Sequence, residues 1–129
     1  MKTLLAVMLG GALGSVGRYG IVVLTTGIFG QAWPIGTLLA NVLGSGAMGF
    51  LMAFFNVSEA LALAGELRAF VFVGLLGGFT TFSAFSMDSV NLLLSGQFLL
   101  GAAYVLLSVF LCLGITWGAY QMGHLLFAR

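Results

Sequence analysis

The side chains that could perform chemistry in this 129-residue chain are few, and most of them are uncharged. The acids are Glu59, Glu66 and Asp88, and the single histidine is His124. They do not form a nucleophile with its base, a metal cluster or a phosphate loop, so the sequence predicts that the protein is not an enzyme. A proton-coupled exporter usually needs an acid deep in the membrane, and Asp88 is a poor candidate for that role because it lies in the far half of its apolar stretch.

A second set of polar side chains lies within apolar stretches and offers hydrogen bonds without charge. Asn41 follows Thr37 by one helical turn and shares its helix face. For the serines and threonines we favour hydrogen bonding between helices, worth about 0.6 kcal/mol each. For Asn41, which is costlier to bury, packing and function both remain open. The set consists of Thr37, Asn41, Ser83, Ser86 and a stripe at four-residue steps, Tyr104, Ser108, Cys112 and Thr116.

Three phenylalanines, Phe79, Phe82 and Phe85, occur at three-residue steps, so we expect them on one helix face. Such a face usually contacts lipid or packs against a neighbouring helix. The edge of an aromatic ring is electropositive, however, and can meet an anion without offering a countercharge. Ring edges together with amide and hydroxyl donors would suit a small, strongly hydrated anion that must be bound weakly at several sites.

The glycine pair Gly77 and Gly78 precedes these rings and predicts a break in their helix near residues 76–81. Non-helical backbone is tolerated at membrane depth only where protein buries it or water reaches it, and its freed carbonyl groups need partners. A bound cation is one solution; close helix crossing at the glycines is the alternative. Arg18, the one cation within an apolar stretch, either reaches to the membrane interface or draws anions into a vestibule.

The elements that must position these residues are four membrane-crossing helices. Hydrophobic residues make up 61% of the chain and charged residues 5%, against about a quarter charged in a soluble domain. Lipid is therefore the expected solvent. A net charge of +1 leaves no footprint for nucleic acid. We predict one all-α transmembrane domain, residues 1–129, with spans at about 3–26, 34–55, 69–94 and 98–126.

Three further expectations concern the first helix, the oligomeric state and the packing of the helices. Because the first apolar stretch continues past Arg18, we favour a first transmembrane helix over a signal peptide. Four helices enclose little volume, so we expect an oligomer with pathways near or between its subunits. Pairs of small residues one turn apart predict close packing within or between subunits: Gly10–Gly14, Ala40–Gly44 and Ser45–Gly49.

Three motifs together resemble the CrcB/Fluc family of fluoride channels. They read "GGALGSVGRYG" (10–20), "PIGTLLAN" (34–41) and "GGFTTFSAF" (77–85). The likeness covers essentially the whole chain, and the third motif is its most specific part. Ala84 replaces a residue that is often Thr in the family, and Cys112 stands where a small polar residue is common.

The resemblance implies a fluoride-selective channel in the bacterial inner membrane that lets cytoplasmic fluoride flow out passively and so reduces its toxicity. Members of this family are antiparallel, dual-topology homodimers with two fluoride pathways. A structural Na⁺, which is not transported, would lie at the dimer centre on backbone carbonyls of Gly77 and Thr80 from both subunits. Arg18 would lie in a vestibule. The pathway would be lined by Asn41, Phe82 and Phe85, with Thr37, Ser83, Tyr104 and Ser108 as further donors.

Passive outflow is physically reasonable for fluoride. The weak acid enters cells as neutral HF and dissociates, and an inside-negative membrane then drives the anion out at about 2.3 kcal/mol per 100 mV. One alternative is a small dual-topology multidrug exporter, which would want a glutamate in the first span; this chain has none there. The other is an assembly subunit without transport activity, in which the glycines and aromatic residues serve packing alone.

One observation opposes antiparallel insertion. With four spans both termini face the same side, and Lys2, Arg68 and Arg129 then share that side. The positive-inside rule favours a cytoplasmic location for it. Because the bias rests on so few residues, we expect the chain to insert in both orientations.

Overall fold

The computed structural model describes residues 1–57 and 65–128. Glu59 and Arg129, which enter the sequence-based account of charge and topology, lie outside these residues. The described chain is built from helices joined by short turns. They are α1 (Lys2–Phe29), α2 (Ile35–Val57), α3 (Gly65–Arg68), a π-helical segment (Ala69–Leu76), α4 (Gly77–Phe79), α5 (Phe82–Leu94) and α6 (Phe98–Phe127).

Four helical stretches are long and apolar enough to cross a membrane, at 23 to 30 residues each. Three of them are α1, α2 and α6, and the other runs from Gly65 to Leu94 through α3, α4 and α5. An α-helix satisfies its own backbone groups, which makes it the solution for an apolar chain in lipid. The prediction of an all-helical, four-span protein with an interrupted third span is therefore confirmed. The protein is a multi-pass membrane protein.

The interruption of the third span lies at Thr80 and Thr81. Both residues are extended, with φ −87° and ψ 156° at Thr80 and φ −153° and ψ 116° at Thr81. Gly77, by contrast, keeps helical angles of φ −65° and ψ −34°. The predicted break exists, but the expectation that the glycines let the chain leave the helix is wrong. β-branched threonine tolerates extended backbone well, and Thr81 Oγ1 caps α5 by accepting the Ala84 N–H at 3.2 Å.

Glycines bring α1 against the first half of the third span. A methyl group added to Gly78 would lie 2.7 Å from the Gly11 carbonyl oxygen. One added to Gly10 would lie 2.8 Å from the backbone nitrogen of Leu75. Real carbon atoms do not approach so closely, so only glycine fits, as expected for helix association in lipid. This confirms within one chain the close packing that the sequence predicts for Gly10–Gly14.

The break moves the third span from one neighbour to another. Before it, the π-helical segment and α4 pack along α1. After it, α5 packs against α6, and α6 also packs along most of α2. The buried cluster at the α5–α6 contact contains Phe85, Leu92 and Tyr104, with Trp33, Leu38 and Val105 packed against it.

Replacing Gly14 with alanine is expected to lower the free energy of unfolding by about 1–3 kcal/mol, the usual cost of overpacking. The added methyl group would lie 2.8 Å from the Phe79 backbone nitrogen. Thermal unfolding of the purified protein in detergent measures the effect. Gly20→Ala is the matched control, because no described heavy atom lies within 4 Å of its added methyl and alanine favours helix. Equal loss of stability in both variants would contradict this packing.

Candidate functional site

A groove with a volume of about 410 Å³ lies beside the helix break. Its walls come from α2, the two extended threonines, the first turn of α5 and the middle of α6. Among the described residues that line it, none carries a charge. The polar lining residues are Asn41, Ser45, Thr80, Thr81, Ser108, Cys112 and Thr116, and the aromatic ones are Phe82 and Phe85. The groove therefore offers neutral hydrogen-bonding groups and ring edges together.

The aromatic rings of the groove continue into the protein interior. The ring centroids of Phe82 and Phe85 lie 5.3 Å apart, and those of Phe85 and Tyr104 lie 5.5 Å apart. Trp33 follows, edge-on to Tyr104 at 6.2 Å. Phe82 is 78% exposed, whereas Phe85 and Tyr104 are buried. A row of rings thus leads from an open surface to the buried core.

Phe79 does not belong to this row. Its ring lies in contact distance of the positions where Gly17 of α1 and Gly44 of α2 would carry side chains. The expectation that Phe79, Phe82 and Phe85 share one helix face is wrong. The extended residues between Phe79 and Phe82 change the direction of the chain, so three-residue spacing no longer keeps side chains on one face.

Asn41 connects α2 to the break through both ends of its side-chain amide. Its Nδ2 donates to the Thr81 carbonyl oxygen at 3.0 Å, and its Oδ1 accepts the Thr81 N–H at 2.7 Å. Thr81 is the residue that caps α5, so its N–H has no partner in the regular helical pattern. Asn41 also lines the groove, where the second N–H of its amide is available.

Arg18 approaches the break from the other side. Its Nε donates to the Gly78 carbonyl oxygen at 3.2 Å, and its side chain is half-buried. The sequence suggests either a reach to the membrane interface or a vestibule charge for this residue. The structure adds a third function, because the guanidinium group satisfies a carbonyl at the end of α4. Arg18 is not a lining residue of the groove.

The carbonyl groups of Gly77 and Thr80 differ from those of Gly78 and Thr81. The carbonyl oxygens of Gly78 and Thr81 accept side-chain hydrogen bonds from Arg18 and Asn41. Among the turn, cap and side-chain hydrogen bonds of the described residues, none is accepted by the carbonyl oxygen of Gly77 or Thr80. Gly77 is also exposed, and Thr80 lines the groove. Within the described chain no group of three His, Cys, Asp or Glu side chains is arranged to hold a metal ion. Backbone carbonyl oxygens are one kind of ligand that hard cations accept.

Ser108 lines the groove, and its buried hydroxyl group has no hydrogen-bond partner among the described residues. Its side chain is 5% exposed, and among the described residues its Oγ forms no hydrogen bond. A buried hydroxyl left in this way costs about 1–3 kcal/mol. One helical turn before it, Tyr104 donates from its hydroxyl to Asp88 Oδ2 at 3.4 Å. The Ser108 hydroxyl thus retains a free donor and a free acceptor next to the groove.

Thr37 lies in a second, smaller cavity of about 160 Å³, lined also by Trp33 and by Asp88. The sequence sets Asp88 aside as a functional candidate, yet the structure brings it next to Thr37 and Tyr104. The signal was present in the spacing, since Asp88 follows Phe85 by three residues on α5. Neither Thr37 nor Tyr104 lines the groove. The ring of Phe85 lies between the groove and Tyr104.

Ser83 is exposed and does not line the groove; its hydroxyl lies 3.1 Å from that of Thr81.

Thr116 lines the groove and donates to the carbonyl oxygens of Ser45 at 3.1 Å and Cys112 at 2.8 Å. Sequence reasoning placed Thr116 and Cys112 on a polar stripe without assigning them to the site. It assigned no role to the Thr81 side chain, although a threonine directly before a helix is a common cap.

Comparison with known proteins gives a consistent result. The family described as CrcB-like protein, Camphor Resistance (CrcB), matches residues 5–120. The chain is 49% identical over 110 residues to a protein of Hahella chejuensis named fluoride-specific ion channel FluC, and the match covers 85% of each chain. It is 43% identical over 122 residues to a protein of the same name from a Shewanella species, covering 95% of this chain and 96% of the other.

A third relative, from Shewanella halifaxensis and also named fluoride-specific ion channel FluC, is 40% identical over 122 residues. Identity of this extent covers the four spans and the break together. The chain therefore belongs to the CrcB family.

Proposed function

We propose that the protein is a fluoride-selective ion channel that lets cytoplasmic fluoride leave a bacterial cell passively. The observation that carries the proposal is the groove at the helix break, in which uncharged donors and aromatic edges meet. The relatives are named fluoride-specific ion channels, and the prediction that the protein is not an enzyme agrees with that name.

The groups of the groove suit an anion that must move. Fluoride is strongly hydrated, so a pathway must replace its water with other donors. Asn41 has one amide N–H to spare, and the Ser108 hydroxyl has no partner among the described residues. The edges of Phe82 and Phe85 are weakly electropositive and add attraction without a full charge. Several weak sites in succession favour conduction over tight binding.

An antiparallel homodimer completes the proposed pathway. One copy supplies a groove in which Phe82 is 78% exposed, so one chain leaves the path partly open. A second copy packed against this face would cover the ring and exclude lipid from the anion. Inverted pairing brings the two breaks together at the middle of the membrane, because each break lies at the centre of its span.

A structural Na⁺ at the dimer centre fits the residues of the break. The carbonyl oxygens of Gly77 and Thr80 are the candidates to hold it, two from each subunit, because Gly78 and Thr81 already have donors in Arg18 and Asn41. A bound Na⁺ would supply fixed positive charge that satisfies these oxygens. The backbone is extended at Thr80, and Gly77 is exposed and has no side chain that could cover its carbonyl oxygen.

Anion efflux from liposomes tests the proposed function. Purified protein is incorporated into vesicles that contain fluoride or chloride, and the loss of each anion is followed with a selective electrode. Fast loss of fluoride with negligible loss of chloride is the expected result. Protein-free vesicles are the control. If folded, dimeric protein releases no more fluoride than empty vesicles, the channel assignment fails and a non-transporting assembly subunit becomes the better account.

A further inference from the structure

Thr80 and Thr81 form a short extended segment in the middle of an otherwise helical span. Such backbone is destabilising at membrane depth unless its N–H and C=O groups find partners within the protein. An unsatisfied backbone group in a nonpolar environment costs several kcal/mol. The segment therefore depends on whatever supplies those partners.

One side chain, Asn41, bonds to both backbone groups of Thr81 and supplies the partner of its N–H. The bonds are 3.0 Å from Nδ2 to the Thr81 carbonyl and 2.7 Å from the Thr81 nitrogen to Oδ1. A carboxamide carries the same donor and acceptor as a peptide group. Asn41 therefore pairs with Thr81 as a neighbouring β-strand would, although the two residues are 40 positions apart in sequence.

This pairing fixes the orientation of the Asn41 amide. Nδ2 faces an acceptor and Oδ1 faces a donor, so exchanging the two atoms would break both bonds. The oxygen is turned to the backbone and is not free to project into the groove. The second N–H of Nδ2 remains, and it belongs to a residue that lines the groove. The arrangement gives the groove a donor there rather than an acceptor.

We propose that Asn41 is a positioning residue: its amide holds the extended segment of the third span through Thr81 and thereby sets the direction of α5 and its two ring-bearing residues, Phe82 and Phe85. Thr81 is the cap of α5, and Phe82 follows it directly. The pairing does not depend on the transported ion, so it stands even if the anion is not fluoride. Only the flux arm of the test rests on the proposed function.

Amide hydrogen exchange of the wild-type protein in detergent gives the first test. Thr81 lies outside the helices and beside an open groove, so without a partner its amide would exchange at the rate of an exposed turn. With Asn41 Oδ1 as its acceptor, we expect exchange at Thr81 to be slowed at least about tenfold relative to an unbonded amide. Rapid exchange at Thr81 in the intact protein would overturn the proposal, whatever any variant does.

The second test compares Asn41→Leu with Asn91→Leu. Leucine has nearly the shape of asparagine without its hydrogen bonds, and Asn91 is an exposed residue of α5 outside the groove. We expect Asn41→Leu to speed amide exchange at Thr81 about tenfold or more. A tenfold change corresponds to about 1.4 kcal/mol, which is the size of one lost hydrogen bond. We also expect this variant to lower fluoride efflux. Asn91→Leu should leave both unchanged.

The outcomes separate the two functions of Asn41. Loss of efflux with unchanged exchange at Thr81 would mean that Asn41 only lines the pathway, and the positioning inference would be wrong. Faster exchange at Thr81 supports it even if wild-type vesicles show no fluoride flux, a result that would count against the proposed channel alone. Should Asn41→Leu fail to fold, Asn41→Ala provides the same reading, since alanine also removes both the acceptor for the Thr81 N–H and the donor to its carbonyl but adds no bulk.

Discussion

Phe85→Leu is expected to reduce fluoride efflux about 100-fold, equivalent to about 2.7 kcal/mol. Leucine nearly fills the same space but has no electropositive edge to meet an anion. Phe85 also lies between two other rings, 5.3 Å from Phe82 and 5.5 Å from Tyr104. The substitution therefore removes one electropositive ring edge from the proposed path. It also removes two aromatic pairs, one with Phe82 and one with Tyr104, and each such pair is worth about 0.5–1.5 kcal/mol.

The control for this prediction is Phe110→Leu. Phe110 lies on α6, is 70% exposed and does not line the groove. Both variants lose the same atoms, so both are compared with wild type by efflux and by thermal unfolding. Equal efflux from Phe85→Leu and wild type, in protein that is shown to be folded, would remove the aromatic row from the pathway. A matching loss in Phe110→Leu would mean that the effect comes from membrane insertion.

Ser108→Ala is expected to lower efflux about tenfold, the effect of losing one donor worth about 1.4 kcal/mol to the passing anion. At the same time it is expected to raise the free energy of unfolding or leave it unchanged. The Ser108 hydroxyl is buried and has no partner among the described residues, so removing it also removes the cost of an unsatisfied group. A site kept for function at the expense of stability has this signature.

Ser89→Ala supplies the comparison for Ser108. Ser89 is buried to a similar degree, at 8% exposed against 5%, but its hydroxyl donates to the Phe85 carbonyl oxygen at 2.7 Å. It has no free donor to offer an anion, and we expect its loss to leave efflux close to wild type. If Ser108→Ala lowers stability and leaves efflux intact, Ser108 serves packing and its assignment to the pathway is wrong.

The sequence predicts the spans better than it predicts the break. The four apolar stretches were placed within a few residues of the helices, since α1 ends at Phe29 and the predicted first span at 26. Hydropathy is a sum over neighbouring residues, so it can be read from the chain directly. The break lies at Thr80 and Thr81, within the predicted range of 76–81, but Gly77, to which it was attributed because glycine is permissive, stays helical. Whether a glycine interrupts a helix or allows another helix to pack closely depends on the residues that surround it in the folded protein.

The candidate site was likewise foreseen in part. The resemblance to the CrcB/Fluc family groups Asn41, Phe82, Phe85 and Ser108 in one pathway, and all four line one groove in the structure. The same reasoning included Thr37, Ser83 and Tyr104: Thr37 lines a separate cavity, Ser83 is exposed, and Tyr104 is buried behind Phe85. Helical periodicity tells which residues share a face of one helix. It does not tell which faces meet, and it fails across a break.

Composition, apolar length and small-residue spacing therefore determined the class of this protein: a four-span membrane protein whose helices touch at glycines. These properties are local sums or short-range spacings, and lipid leaves few folds that satisfy them. Only the tertiary structure decided how the break is held. Its partners are Asn41 and Arg18, which are 40 and 60 residues from the carbonyl groups they satisfy. Contacts over such distances exist only after packing has brought α1 and α2 to the third span, because no local preference of the chain specifies them.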